Sequence, residues 1–120
     1  MNVFFSLAAQ IGHLQLCKFF VENGTNLSPS DINGYKPLTL ASLNGRLEVC
    51  KFLLDNGAEK NPRDYLGWTP LHFAANNGHV EVLKLLASYV DDKNPKNNIG
   101  TTPSMLLNDF FLKNIFQVRS

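Results

Sequence analysis

The chain has 120 residues, of which 44% are hydrophobic and 18% charged, with a formal net charge of +1. The length is that of one small domain, and the hydrophobic content excludes a chain that is disordered throughout. The near-zero net charge does not favour nucleic-acid binding, which usually needs a basic face, and no apolar run is long enough to predict a membrane span.

The cysteine count and the first residues bear on the compartment. Two cysteines, Cys17 and Cys50, are too few for a disulfide-stapled secreted domain and suit a reducing environment. Residues 1–9 carry no Lys or Arg before their short apolar stretch, which is unlike a signal peptide. We therefore expect a cytoplasmic or nuclear location.

Glycine and proline recur along the chain at intervals of 33 residues. Three columns share this interval: Gly12, Gly45 and Gly78; Gly34, Gly67 and Gly100; Pro37, Pro70 and Pro103. Several independent columns in one register indicate a tandem repeat. In this register the units are residues 1–30, 31–63, 64–96 and 97–120.

The first two units depart from the pattern. Residues 1–30 form a shortened unit, in which Phe4 stands in the Pro37 column. In residues 31–63, Lys36 and Thr39 stand where a capping residue and a histidine stand in the next unit. Because a lost helix cap costs about 0.5–2 kcal/mol, we expect this second unit to be weaker.

Residues 64–96 show the pattern most completely. Gly67 suits a turn with positive φ, Thr69 is a good N-cap, and Pro70 suits the first helical position. Gly78 is expected to end this first helix in the left-handed conformation. A second, more apolar helix follows from Val80.

The run from Gly67 to Val82 closely resembles the ankyrin repeat, which has a 33-residue period and a Thr-Pro-Leu-His-x-Ala signature. The resemblance implies an all-α fold, an ankyrin-repeat solenoid of stacked helix–turn–helix units with β-hairpin-like turns. It also implies that Thr69 and His72 form hydrogen bonds that hold each turn and its neighbour. The structural motif residues carried over are Gly67, Thr69, Pro70, Leu71, His72, Ala74 and Gly78.

The last unit, residues 97–120, keeps Gly100 and Pro103 but has Phe111 in the inter-helix glycine column. We expect one helix or a helix pair from Pro103 to about Gln117. Both ends of the chain are apolar, whereas natural arrays end in polar capping units. Two interpretations compete: a fragment of a longer array, favoured for the N-terminal end, or an irregular apolar cap, favoured for the C-terminal end.

The chemically reactive residues have structural interpretations. Cys17 and Cys50 are 33 residues apart, and stacked helices lie about 8–10 Å apart, beyond the roughly 7 Å that a disulfide spans, so we predict two buried free thiols. The three histidines lack the spacing of a metal site. We therefore predict no metal, no cofactor and no catalytic residues.

The resemblance implies that a partner contacts a concave surface made by the turn tips and the first helices. Tyr35 and Trp68 share one column and are the residue types that most often dominate interfaces. Their alternative role is to pad the turns against each other. Carried over column by column, the candidate partner-binding residues are Ile32, Asn33, Tyr35, Leu43, Asn44, Arg63, Tyr65, Leu66, Trp68, Asn76, Asn77, Asn98 and Ile99.

The sequence thus predicts a non-catalytic protein–protein interaction module. Its partner would be another protein, with no nucleic acid and no membrane insertion, and the chain itself is expected to be monomeric. The alternative is a regulatory ankyrin fragment of a larger enzyme, channel or signalling protein.

Overall fold

The computed structural model describes residues 3–107. Within this range the chain forms six α-helices and a short 3₁₀ helix at Pro103–Leu106, with no strand. The predicted all-α architecture is confirmed. The α-helices are α1 (Val3–Ile11), α2 (Leu14–Glu22), α3 (Pro37–Leu43), α4 (Leu47–Asp55), α5 (Pro70–Asn76) and α6 (Val80–Tyr89).

The helices stack in two layers. In one layer α1 packs on α3, α3 packs on α5, and α5 packs on the 3₁₀ helix; in the other, α4 packs between α2 and α6. Each unit buries its apolar face mainly against its neighbours, so the hydrophobic core runs the length of the stack. The largest fully buried apolar side chains include Phe5, Leu38, Leu53, Leu71, Leu83 and Leu86.

Small buried residues set the spacing of both layers. Ala8, Ala41 and Ala74 share one column of the first helices and are at most 1% exposed. Cys17 and Cys50 share one column of the second helices, where both are buried and unbonded. The prediction of two buried free thiols is confirmed.

The turn between the paired helices depends on glycine. Gly12, Gly45 and Gly78 have φ of +83°, +71° and +73°, a region that other residues rarely adopt. The predicted left-handed Gly78 is confirmed.

The residues after Gly45 and Gly78 each tie their unit to the one before. The Nε atom of Arg46 donates to the carbonyl oxygen of Gln10 at 3.1 Å. One unit later, the Nε2 atom of His79 lies 3.1 Å from the carbonyl oxygen of Leu43. These bonds pair the free carbonyls at the end of a first helix, which have no partner inside that helix.

His72 joins the start of α5 to the next unit. Its Nδ1 atom accepts the backbone N–H of Thr69 at 3.1 Å, which places the ring proton on Nε2. The Nε2–H group then donates to the carbonyl oxygen of Thr101 at 2.8 Å. The roles that the resemblance implied for Thr69 and His72 are present in this structure.

The second unit keeps one of the two bonds expected to be lost. We expected α3 to lack its cap because Lys36 and Thr39 replace the signature Thr and His, and the Lys36 side chain forms no capping hydrogen bond. The Oγ1 atom of Thr39 nevertheless accepts the backbone N–H of Lys36 at 3.2 Å, so the bond at the helix start is retained. What the short Thr39 side chain lacks is the second bond, to the following unit, that His72 makes.

The fourth unit begins differently from the predicted α-helix. Residues Pro103–Leu106 form a 3₁₀ helix, in which the N–H of Met105 bonds to the carbonyl of Thr102. The side-chain amide of Asn94 holds this turn, since it both donates to the hydroxyl of Ser104 and accepts its N–H, each at 3.0 Å. The helix expected as far as Gln117, Phe111 in the glycine column and the apolar C-terminal cap lie outside the described residues.

Candidate protein-binding surface

Each unit is joined to the next by a turn whose tip projects from the helical stack. Three such tips, residues 31–35, 64–68 and 97–101, have the same internal hydrogen bonds. In each, one side-chain oxygen of the first residue (Asp31, Asp64 or Asn97) accepts two backbone N–H groups at 2.8–3.0 Å. A backbone bond between the first and fifth residues closes each tip. The periodic Asp31 and Asp64 therefore serve the scaffold.

Backbone bonds link the tips to one another. The N–H of Tyr65 donates to the carbonyl of Asn33 at 3.4 Å, and the N–H of Asn98 donates to the carbonyl of Leu66 at 3.0 Å. The side chain of Asn98 adds a third bond, to the carbonyl of Tyr65. The tips therefore form one connected ladder.

Arg63 strengthens the last step of this ladder. Its Nη1 atom donates to the carbonyl oxygens of Gly67 at 3.0 Å and Lys96 at 2.7 Å. Gly67 is required here for two reasons: its φ is +82°, and a Cβ would stand 2.4 Å from the Oδ1 atom of Asn98. Of the predicted partner-binding residues, Arg63 and Asn98 thus also hold the scaffold together.

The apolar side chains at the tips are among the most exposed of the described residues. Ile32 is 88% exposed, Ile99 is 86%, Tyr65 is 70% and Leu66 is 68%. Asn33, which shares a column with Leu66 and Ile99, is also exposed. All five of these candidates are exposed residues of the ladder's turns.

The two aromatic candidates lie deeper than the tips. Tyr35 and Trp68 are half-buried, and both pack on the ring of Phe73, at centroid distances of 5.5 and 4.9 Å. Trp68 also lies 5.4 Å from the ring of His72. Burial raises the pKa of Tyr35, and the negative charges of Asp64 and Asp31 raise it further. These rings therefore pack against the helix that follows the turns and are also partly exposed at the surface.

Phe73 was missed by the sequence analysis. It occupies the variable position of the signature, between His72 and Ala74, and its column contains Leu7 and Leu40. An apolar residue at this position in three successive units was the signal that could have identified it.

The candidate residues at the first helices differ in their exposure and in their hydrogen bonds. Asn76 and Asn77 are exposed, whereas Leu43 and Asn44 are half-buried. The Nδ2 atom of Asn77 donates to the carbonyl of Leu43 at 2.8 Å, and that of Asn44 donates within its own helix, to the carbonyl of Leu40. Asn77 therefore links two units in addition to facing outward.

Reactive groups in the described range serve the fold. Burial raises the pKa of the Cys17 and Cys50 thiols to about 11, so neither forms a nucleophilic thiolate near neutral pH. Burial also lowers the pKa of His72, whose two ring nitrogens are both bonded. Within residues 3–107, no three His, Cys, Asp or Glu side chains gather as metal ligands, and no helix has the length and apolarity to cross a membrane.

The comparison with known proteins agrees with the geometry. The family model described as ankyrin repeats (many copies) matches residues 5–54 and 41–87. No curated protein matches the chain closely. Because the two matches together cover more than half of the sequence, with the helix pairs and the signature bonds in place, the chain belongs to the ankyrin repeat family.

Proposed function

We propose that this chain is a non-catalytic module that binds a partner protein through the concave surface of its turn tips and first helices. Ankyrin repeats generally mediate protein–protein interactions. The observation that carries the proposal is the set of large apolar side chains, Ile32, Tyr65, Leu66 and Ile99, held out in solvent on the ladder of tips. Apolar groups gathered on a polar turn surface mark contact sites.

The rigidity of the tips supports this role. Each tip is closed by its own Asp or Asn side chain and bonded to its neighbour through the backbone. Side chains presented on a preordered backbone lose less conformational entropy on binding than those of a free loop. The tips are therefore suited to contacting a partner without first folding around it.

The use of the reactive side chains supports a non-catalytic role. Repeats of this family are generally non-catalytic interaction modules. In the described residues, Cys17 is buried, Cys50 contacts the hydroxyl of Ser42, and both ring nitrogens of His72 are bonded, so none of the three lies as a nucleophile or base in an open cleft. Catalysis needs such a convergent set.

The test is a site-specific photo-crosslinking map. A photoreactive phenylalanine analogue is placed at Leu66, at Ile99 or, as the control on the opposite helix layer, at Phe19, and each protein is exposed to a cell extract. We expect the same partner adduct from Leu66 and Ile99 and none from Phe19. An adduct that forms from Phe19 but from neither tip would contradict the proposed surface.

A further inference from the structure

The three first helices, which line the proposed concave surface, contain no charged residue. The segments of α1, α3 and α5 read VFFSLAAQI, PLTLASL and PLHFAAN. Charged side chains instead lie on the second helices and in the connecting segments. A partner that docks on α1, α3 and α5 therefore meets no charged side chain that belongs to these three helices.

The cations beside α3 are held by the scaffold. Lys36 donates to the carbonyl of Ser28 and to the hydroxyl of Ser30, and its ammonium group lies 3.7 Å from Glu59. The Nε atom of Arg46 is bonded to the carbonyl of Gln10. These interactions engage the ammonium group of Lys36 and the Nε atom of Arg46, whereas Arg46 as a residue remains exposed.

A cavity opens between α1 and α3 on this uncharged face. Its volume is about 230 Å³, and its lining residues are Val3, Ser6, Leu7, Gln10, Asp31 and Leu40. Asp31 is the single charged residue of the lining, and its Oδ1 atom already accepts two N–H groups of the tip. The cavity is lined mainly by uncharged groups and has room for an apolar side chain.

Two side-chain amides lie on the same first helices as the apolar residues of this cavity. Gln10 and Asn76 share a column with Leu43 between them, both are exposed, and neither side-chain amide has a hydrogen-bond partner among the described residues. An amide that both donates and accepts can pair with a peptide group. At about 8–10 Å per stacked helix, the two amides stand roughly 16–20 Å apart, the length of about six residues of extended chain at about 3.3 Å each.

We propose that the concave face binds an extended, uncharged segment of the partner protein, about six residues long. One apolar side chain of this segment occupies the cavity between α1 and α3, and its backbone pairs with the amides of Gln10 and Asn76. This inference rests on the proposed function and specifies the partner's chemistry. Binding through such a face depends little on ionic strength, because no surface charge pairs are formed.

The experiment is a selection of displayed random peptides, each of about 12 residues, on the immobilised full chain. The selected peptides (the winners) are expected to contain a run of about six residues that is depleted in Asp, Glu, Lys and Arg relative to the starting library. Synthetic winners should change affinity by less than about twofold between low and high salt. Winners rich in charged residues, with a strong salt dependence, would overturn the inference.

Matched variants locate the binding face. Gln10→Ala is compared with Gln15→Ala, an exposed amide on α2, and Leu7→Glu with Phe19→Glu, since these two apolar side chains are 49% and 54% exposed. The concave variants should weaken a winning peptide by about tenfold or more, and the α2 variants should leave its affinity unchanged. Equal losses in both sets would overturn the inference.

Further results would show that something other than a peptide occupies the concave face. If the chain forms a dimer in sedimentation velocity and Leu7→Glu abolishes it, the face is an interface between copies and the peptide proposal fails. If no peptide is enriched, the proposal also fails, yet a tip-dependent adduct in the photo-crosslinking map would still support the interaction function. Failure of both experiments would reject the proposed function itself.

Discussion

The imidazole of His79 lies directly over Gly45 of the preceding unit. A Cβ atom at Gly45 would stand 2.6 Å from the Nδ1 atom of His79, while the Nε2 atom of the same ring lies 3.1 Å from the carbonyl oxygen of Leu43. The glycine therefore serves two purposes, because it adopts a positive φ and also leaves room for the side chain that binds the next unit to it.

Gly45→Ala should destabilise the chain more than Gly78→Ala does. The two glycines have nearly equal φ, +71° and +73°, so each alanine incurs a backbone penalty of about 1–2 kcal/mol. At Gly78 no atom lies within 4 Å of the added Cβ, whereas at Gly45 the ring of His79 must move and lose its bond, at a further cost of about 1 kcal/mol. Urea unfolding measures the difference.

The control for this comparison is the same pair of substitutions in a His79→Ala background. Without the imidazole, the extra cost of Gly45→Ala should vanish. If Gly45→Ala and Gly78→Ala were equally destabilising in the wild-type chain, the interlock between Gly45 and His79 would have no energetic role.

His72→Thr should be less harmful than His72→Ala. Thr39 shows that threonine at this position still accepts the N–H at the helix start, so His72→Thr is expected to lose mainly the bond to Thr101. In His72→Ala the buried backbone N–H of Thr69 has no acceptor, which should cost about 1–3 kcal/mol. Thermal unfolding of the two variants tests this order, and a melting temperature for His72→Ala at or above that of His72→Thr would be inconsistent with it.

The same histidine should make the fold sensitive to acid. Burial lowers the pKa of His72 below its ordinary value of 6.5, so below that pH the unfolded chain binds a proton that the folded chain does not. The contribution of His72 to stability is therefore complete above pH 6.5 and is lost as the pH falls through the folded-state pKa. Denaturation curves between pH 7.5 and 5 should show a smaller acid loss for His72→Thr than for the wild type; an identical loss would refute the assignment.

The sequence predicted the features that recur in every unit, but it did not predict the contacts between neighbouring units. The 33-residue columns located the helices, the left-handed Gly78 and the tips, since each depends on a few neighbouring residues. The position of His79 over Gly45 depends on the stacking of two units, which no single column contains. The role of Thr39 was missed because its hydroxyl replaces a histidine of different shape, and Phe73 was missed because it occupies a variable position.

Trp68→Ala should weaken partner binding by roughly 2 kcal/mol or more, the scale of an interface hot spot. The substitution also has a stability cost, because the ring of Trp68 packs on Phe73 and His72. Calorimetric titration at a temperature where the variant is fully folded separates the two effects, and unchanged affinity there would exclude Trp68 from the interface.

The two thiols should react only when the chain unfolds. Cys17 and Cys50 are buried, and burial raises the pKa of each to about 11, so little thiolate is present or accessible at pH 8. Iodoacetamide labelling followed by mass spectrometry should show protection in buffer and two labelled sites in concentrated urea. Rapid labelling of Cys50 in buffer would contradict its position in the core.

The central claim is that a partner binds the tips and first helices, and one titration tests it most directly. The partner identified by crosslinking is titrated calorimetrically against the wild type, Ile99→Asp and Phe19→Asp; Ile99 is 86% exposed, so its replacement leaves the packing intact. The account predicts that Ile99→Asp weakens affinity by about tenfold or more, while Phe19→Asp stays within about twofold of the wild type. Full affinity in Ile99→Asp together with its loss in Phe19→Asp would place the binding surface on the opposite layer of helices.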